Sequence, residues 1–289
     1  MLNEVRELGF EYAELGHGIR LSLVDGIQRA VAAGEIKISS VHNFCPLPLQ
    51  LLSAAPDYYL LSARRERERE QALKHTLRTL DCAAAVGAKA VVLHMGMVSM
   101  RNYTERLLDL CSQGEVQTPR FQRLRDKALK VRDRKRPKDL EQLFRTLEEV
   151  VPRAREMGLK LGMETRLGIE DIPMEDEVDQ LLAQFGSDTL AYWHDVGHAQ
   201  LKENMGLAKQ ETILERFRGR TAGMHLQDFA PPACDHLPPG YGTFDFARLA
   251  GFATDHMILT WEIHHEWTAA QIADKFRPAH ASITRSVHS

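Results

Sequence analysis

This sequence predicts an α/β fold: a (β/α)8 TIM barrel lacking its first strand. Two observations predict it. Short apolar runs, each the length of a buried strand, alternate with amphipathic helical stretches along the whole chain. Six of those runs also end in His, Asp or Glu: ISSVHNF, AVVLHMG, LKLGMETR, LAYWHDVGH, TAGMHLQDF and MILTWEIHH. In a barrel of parallel strands the active site is built at the strand C-termini. Repetition of this pattern over 289 residues favours one domain, 1–289, over two.

The elements follow in order. NEVRELG reads as a helix, although a first strand should precede it. FEYAEL (10–15) is a strand, followed by an amphipathic stretch around 22–33. IKISSV (36–41) is the next strand, and a Pro-rich loop with Pro46 and Pro48 leads to a helix over about 64–86. Leu73, Leu77, Leu80 and Ala84 mark the expected buried face of that helix, and Gly87 stands where a C-terminal cap belongs. KAVVLH (89–94) precedes a long segment that ends in a helix over about 139–157, with Leu140, Leu143, Phe144, Leu147 and Val151 at helical spacing. LKLGME (159–164), LAYWHD (190–195), TAGMHL (221–226) and MILTWEI (257–263) complete the set. That makes seven strands. A gap is expected between the first and the last, to be covered by a partner chain, the C-terminal tail or a loop.

Residues 100–138 are read as a basic helical insertion. Within 120–138 ten Lys or Arg stand against Asp126 and Asp133. An anion-binding lid near His42 and His94 is one reading; a solvated helical excursion is the preferred one. No aromatic interleaving supports a stacking platform for nucleic acid.

Composition excludes several classes. Hydrophobic residues make up 44% and charged residues 27%, the balance of a globular protein, and the net charge of −3 gives no general affinity for polyanions. No apolar run approaches the ~20 residues that span a bilayer. The start, MLNEVRELGFEY, is too charged for the apolar core of a signal peptide. Cys45, Cys82, Cys111 and Cys234 are scattered, so a reduced, cytoplasmic protein is expected.

The chemistry lies at the strand ends. Glu164, Asp195, His225 and Glu262 offer three carboxylates and an imidazole. This mixed oxygen and nitrogen set suits one divalent ion, Mn, Mg, Co or Zn, better than a thiolate-seeking metal. A lone Glu at a strand end is more often a salt-bridge partner. Occurrence on four consecutive strands tips the balance to a metal site. His194, His264 and His265 neighbour these positions and are read as structural or supporting. Trp193 and Trp261 are read as pointing away from the metal to pack on helices. Gly240 and Gly242 sit in a loop where barrels often bind phosphate, with a plain turn as the equal alternative.

The ordered set resembles the xylose isomerase-like TIM-barrel superfamily, which holds sugar and sugar-phosphate isomerases and epimerases together with apurinic endonucleases of the endonuclease IV type. HDVGH, MHLQD and PPGYGTFDF carry the resemblance most specifically, and it covers nearly the whole chain. It implies a divalent metal on Glu164, Asp195, His225 and Glu262, with Glu164 and Glu262 as the catalytic proton-transfer pair. It implies substrate contacts at His42, His94, His198 and His236. The expected reaction is isomerisation or epimerisation of a sugar or sugar phosphate by proton transfer through a metal-stabilised enediolate. A keto-polyol dehydratase or keto-glycoside lyase would use the same groups. The alternative is a multi-zinc phosphodiesterase of the apurinic endonuclease type. There the resemblance breaks at one ligand: Cys234 stands where that branch has a metal-binding Asp, and Asp235 is one residue out of register. The expected partner is a small sugar, with neither membrane nor nucleic acid and with room for a homo-oligomer.

Overall fold

The computed structural model describes residues 2–264 and 266–284. The strands are β1 (Tyr12–Leu15), β2 (Lys37–His42), β3 (Ala90–Leu93), β4 (Gly96–Met97), β5 (Lys160–Glu164), β6 (Asp171–Ile172), β7 (Leu190–Asp195), β8 (Thr221–Leu226), β9 (Asp228–Ala230), β10 (Cys234–Leu237) and β11 (Ile258–Trp261). The helices are α1 (Leu2–Glu7), α2 (Leu21–Ala32), α3 (Glu66–Ala85), α4 (Thr104–Ser112), α5 (Pro119–Glu156), α6 (Glu175–Phe185), α7 (Val196–Asn204), α8 (Gln210–Arg216), α9 (Ala269–Ile272) and α10 (Phe276–Thr284). Seven strands pair in the order β1-β2-β3-β5-β7-β8-β11. They are the seven expected from the apolar runs. β1 and β11 are the two ends of the order, and no strand precedes β1 among the described residues.

The chain divides into two compact units. The first holds residues 1–99, 135–164 and 171–191. Here β1, β2, β3 and β5 run parallel, with Val41 opposite Val91 and Val91 opposite Leu161. All four residues of β3 are buried, as expected of a parallel strand covered on both faces. Helix α3 ends at Ala85, and Gly87 follows with φ 73°, the left-handed position that favours glycine after a helix.

The buried face of α3 differs from the one read off its leucines. Ala72, His75, Thr76, Thr79, Leu80, Cys82 and Ala83 are buried, while Ala84 is exposed. Buried threonines are tolerated here because each has a partner. Asn43 donates to Thr76 Oγ1 at 3.0 Å, Thr79 Oγ1 donates to Asn43 Oδ1 at 2.9 Å, and the Cys45 amide donates to Thr79 at 3.0 Å. This helix therefore holds the chain that leaves β2, directly after His42.

The second unit holds residues 100–134, 165–170 and 192–289, described to Thr284. β7 and β8 run parallel with Asp195 opposite His225, and β8 and β11 with Thr260 opposite His225. A cluster of Val196, Leu214, Met224, Leu226, Phe246 and Leu249 backs these strands. β9 and β10 form a separate antiparallel pair.

The basic segment is helical, but its expected boundary is corrected. The helix anticipated at 139–157 does not start afresh; α5 runs unbroken from Pro119 to Glu156, with Pro137 and Pro152 inside it. The strong helix formers around Pro137 outweigh its missing amide. Nor are all ten cations solvated. Arg132 is 1% exposed and donates to the Ile169 carbonyl at 2.7 Å, and Arg136 pairs with Asp176 at 2.6 Å. No helix among the described residues is long and apolar enough to cross a membrane.

Candidate functional site

In the first unit three strand ends deliver His42, His94 and Glu164. His42 closes β2, His94 follows β3 and Glu164 closes β5, and the pairing of Leu93 with Met163 brings His94 level with Glu164. Glu164 is 1% exposed. Its Oε2 lies 2.8 Å from His94 Nε2 and 3.3 Å from His42 Nε2. The His42 ring stands edge-on to that of His94 at 4.9 Å, and the His17 ring, just past β1, lies tilted to it at the same distance. On its far nitrogen His94 meets Asp57, Nδ1 to Oδ1, at 2.9 Å. A carboxyl group buried among imidazoles needs such contacts to offset its loss of hydration, the hydrogen of each lying on the ring or on Glu164.

The second unit gathers Asp195, His225 and Glu262. Asp195 ends β7, His225 is the penultimate residue of β8, and Glu262 follows β11, where its amide donates to the Leu226 carbonyl at 2.9 Å. His225 Nδ1 lies 2.9 Å from Glu262 Oε2 and 3.7 Å from Asp195 Oδ2. Asp195 and His225 are fully buried. Asp195 also caps α7, accepting the His198 amide at 2.7 Å, so the D-x-x-H spacing starts the helix as well as placing the imidazole. His198 Nδ1 meets the Thr165 carbonyl at 2.9 Å. A carbonyl only accepts, so Nδ1 carries a hydrogen and donates it there.

His236 stands beside this group. Its Nε2 is 3.7 Å from Glu262 Oε2 and its Nδ1 is 3.3 Å from Asp235 Oδ1. Its φ of 54° is left-handed, uncommon for a residue with a Cβ and most frequent near functional sites. Burial pulls its imidazole down, but the neighbouring carboxylates of Asp235, Glu262 and Asp195 outweigh that and push it up to about 11. Burial likewise opposes the Asp235 carboxylate, yet the His236 contact holds it below its ordinary value.

Residues that sequence reasoning passed over organise the site. Gln227 is fully buried; its Nε2 donates to both oxygens of Asp195 at 2.9 Å, and its Oε1 accepts the His236 amide. It also explains Gly197 in HDVGH, where a Cβ would come within 2.4 Å of Gln227 Oε1. Asp228 accepts the amides of Gly240 at 2.8 Å, Gly242 at 2.9 Å and Phe244 at 2.9 Å. Of the two readings of that loop the turn is the one observed, because the amides a phosphate would need are spent on Asp228. Both residues belong to MHLQD, so the motif was the available signal. Asp57 sits in a loop without periodicity and gave none.

The aromatic neighbours divide. His194 bonds Tyr192 and Gln210, each at 3.0 Å, on the face away from Asp195, as expected. Trp261 packs on Phe246 and Phe276. Trp193 is corrected: it lies two residues before Asp195, hence on the same face of β7, and its ring stands edge-on to His225 at 5.3 Å. His264 is exposed, and its ring lies 5.1 Å from that of His236. His265 lies outside the described residues.

Buried carboxylates around imidazoles are a donor set that fits a divalent cation. Within single units, and among the described residues, three groups have ligand atoms within 4.8 Å of one another: His42, His94 and Glu164; Asp195, His198 and His236; and Asp235, His236 and His264.

The family model described as xylose isomerase-like TIM barrel matches residues 2–285, and the chain belongs to that family. Among solved structures it is similar to a 3-keto-D-glucoside 4-epimerase from E. coli, at 16% identity and TM-score 0.65, covering 97% of this chain and 92% of that one. It is similar to an L-ribulose 3-epimerase at 13% identity and TM-score 0.67, covering 99% and 88%. A structure of the IolI protein with a bound zinc atom matches at 13% identity and TM-score 0.63, covering 100% and 93%. At such identities the likeness is one of fold.

Proposed function

We propose that this protein is a divalent-metal-dependent sugar or sugar-phosphate isomerase or epimerase. The observation that carries the reading is the His225 imidazole held between Glu262 and Asp195 at strand ends. We assign Glu164 as the fourth ligand. It immediately precedes Thr165, whose amide bonds to the Trp193 carbonyl on β7, the strand that ends in Asp195. The ion, Mn, Mg, Co or Zn, would supply positive charge to two adjacent substrate oxygens.

The chain's own groups do the rest. Glu164 and Glu262 take and return the proton on the substrate carbon, and the bond electrons spread onto the neighbouring carbonyl as an enediolate. His42, His94, His198 and His236 hold substrate hydroxyls. The epimerases among the similar folds support a small sugar as substrate, and the zinc-bound one supports a metal. β-Elimination by a dehydratase or glycoside lyase would call on the same residues. Free thiols and the absence of a membrane-length helix among the described residues are in keeping with a cytoplasmic setting.

A second reading, a multi-zinc phosphodiesterase of the apurinic endonuclease type, is favoured by one observation. His42 and His94 both reach Glu164, and Asp195, His198 and His236 form a further donor group. Against it, Cys234 is exposed, although Asp235 beside it does reach His236. Elemental analysis of metal per chain, with a screen of keto-sugars in deuterated solvent, separates the two. One ion and deuterium wash-in at a carbinol carbon are expected. Two or three ions with cleavage of an abasic phosphodiester would overturn the isomerase reading.

A further inference from the structure

We propose that Asp57 is the positioning residue of His94, deciding which ring nitrogen carries the proton and so how the ring meets a substrate oxygen. The proposal rests on the reading of His94 as a substrate contact. His94 lies just beyond β3, and the rotation of an imidazole about its last side-chain bond is broad. Two carboxylates bracket the ring instead. Asp57 Oδ1 is 2.9 Å from Nδ1, and Glu164 Oε2 is 2.8 Å from Nε2. Since an ionised carboxylate only accepts, Asp57 requires the hydrogen on Nδ1. Nε2 is then the nitrogen turned to Glu164, where the proton on the substrate carbon is handled, and that contact shares one further hydrogen between Nε2 and Oε2. Carboxylate–imidazole pairs set tautomer and orientation in this way in metal centres and in hydrolytic triads.

Asp57 is not a chance surface partner. The loop between β2 and α3 is tied down on both sides of it. The Tyr58 amide closes a turn onto the Ala55 carbonyl at 3.1 Å, and the Tyr59 ring stacks on His75 of α3 at 5.6 Å. Earlier in the loop, the Leu47 amide bonds the Ile19 carbonyl at 2.7 Å and Arg20 bonds the Leu52 carbonyl at 3.2 Å. The carboxylate is thus delivered from a braced loop. Its side chain is 33% exposed and that of His94 only 8%, so the pair lies where buried site and solvent meet.

The test uses the full chain labelled with nitrogen-15 in histidine, with and without added Zn²⁺. The His94 Nδ1 signal should be that of a protonated nitrogen. It should change to the unprotonated type in Asp57→Ala and be kept in Asp57→Glu, with circular dichroism unchanged. On a ketose that the wild type turns over, Asp57→Ala should lower kcat/KM by about 10–100-fold, the usual loss when an outer partner of a site histidine is removed, and Asp57→Glu should recover part of it. An unprotonated Nδ1 in the wild type, a signal that ignores Asp57→Ala, or an unchanged kcat/KM overturns the proposal. If no ketose is turned over, the functional reading falls and the nitrogen signal alone decides on Asp57.

Discussion

Replacing Gln227 by Leu should weaken both the fold and the hold on metal. The change keeps approximate volume but removes the bonds from Nε2 to Asp195, both at 2.9 Å, and the acceptor for the His236 amide. A hydrogen bond to a charged group contributes about 1.5–3 kcal/mol, and an orphaned buried donor costs about 1–3 kcal/mol. The two losses are not additive. Asp195 keeps the His198 amide at 2.7 Å, and water reaches the half-buried His236. We therefore expect a net destabilisation of about 2–3 kcal/mol in urea unfolding of chelator-treated protein. Asp195 would also lose the group that aims its oxygens, so Zn²⁺ affinity, read by competition with a fluorescent chelator, should fall about 10–100-fold. Wild-type stability together with wild-type Zn²⁺ affinity would show that Asp195 does not depend on Gln227 and would refute the reasoning.

Three further outcomes are expected. Glu262→Gln should stop exchange of the substrate's carbon-bound proton with solvent while circular dichroism stays that of the wild type; full exchange would remove Glu262 from the chemistry. Gly197→Ala should destabilise by about 1–3 kcal/mol, the usual range for overpacking, because its Cβ would meet Gln227 Oε1 at 2.4 Å and Asp235 Cβ at 3.0 Å; a neutral change in urea unfolding would contradict this packing. The His236–Asp235 pair should show in the pH dependence of stability. His236 is raised to about 11, so its contribution is full below the unfolded value near 6.5 and is lost as pH rises through about 11. Asp235 is lowered, so its contribution is lost as pH falls through its depressed value. In chelator-treated protein the stability gap between wild type and Asp235→Asn should be steady near neutrality and shrink above about pH 10; a gap constant to pH 12 would argue against the pair.

Much of the fold was legible before any coordinates. A parallel strand covered on both faces must be a short apolar run, and a polar residue at its end must be either satisfied or functional. AVVL before His94 and LAYWH before Asp195 meet that rule, and the seven strands and the candidate site residues follow from it. Helix α3 was harder, because Thr76 and Thr79 are buried by hydrogen bonds to the loop after His42, and a leucine count cannot see those bonds.

By itself the sequence determined the strands, their order of polar ends and the chemical types brought to them. These are local properties, set by alternation and burial within a few residues. Tertiary structure alone decided the partners. Trp193 faces His225 because Asp195 pairs with His225 in the β7–β8 register, Gly240 and Gly242 spend their amides on Asp228, Gln227 spans Asp195 and His236, and Asp57 reaches His94 from a loop with no pattern of its own. A hydrogen bond a few ångströms long depends on register and loop path, and residues distant in the chain set both.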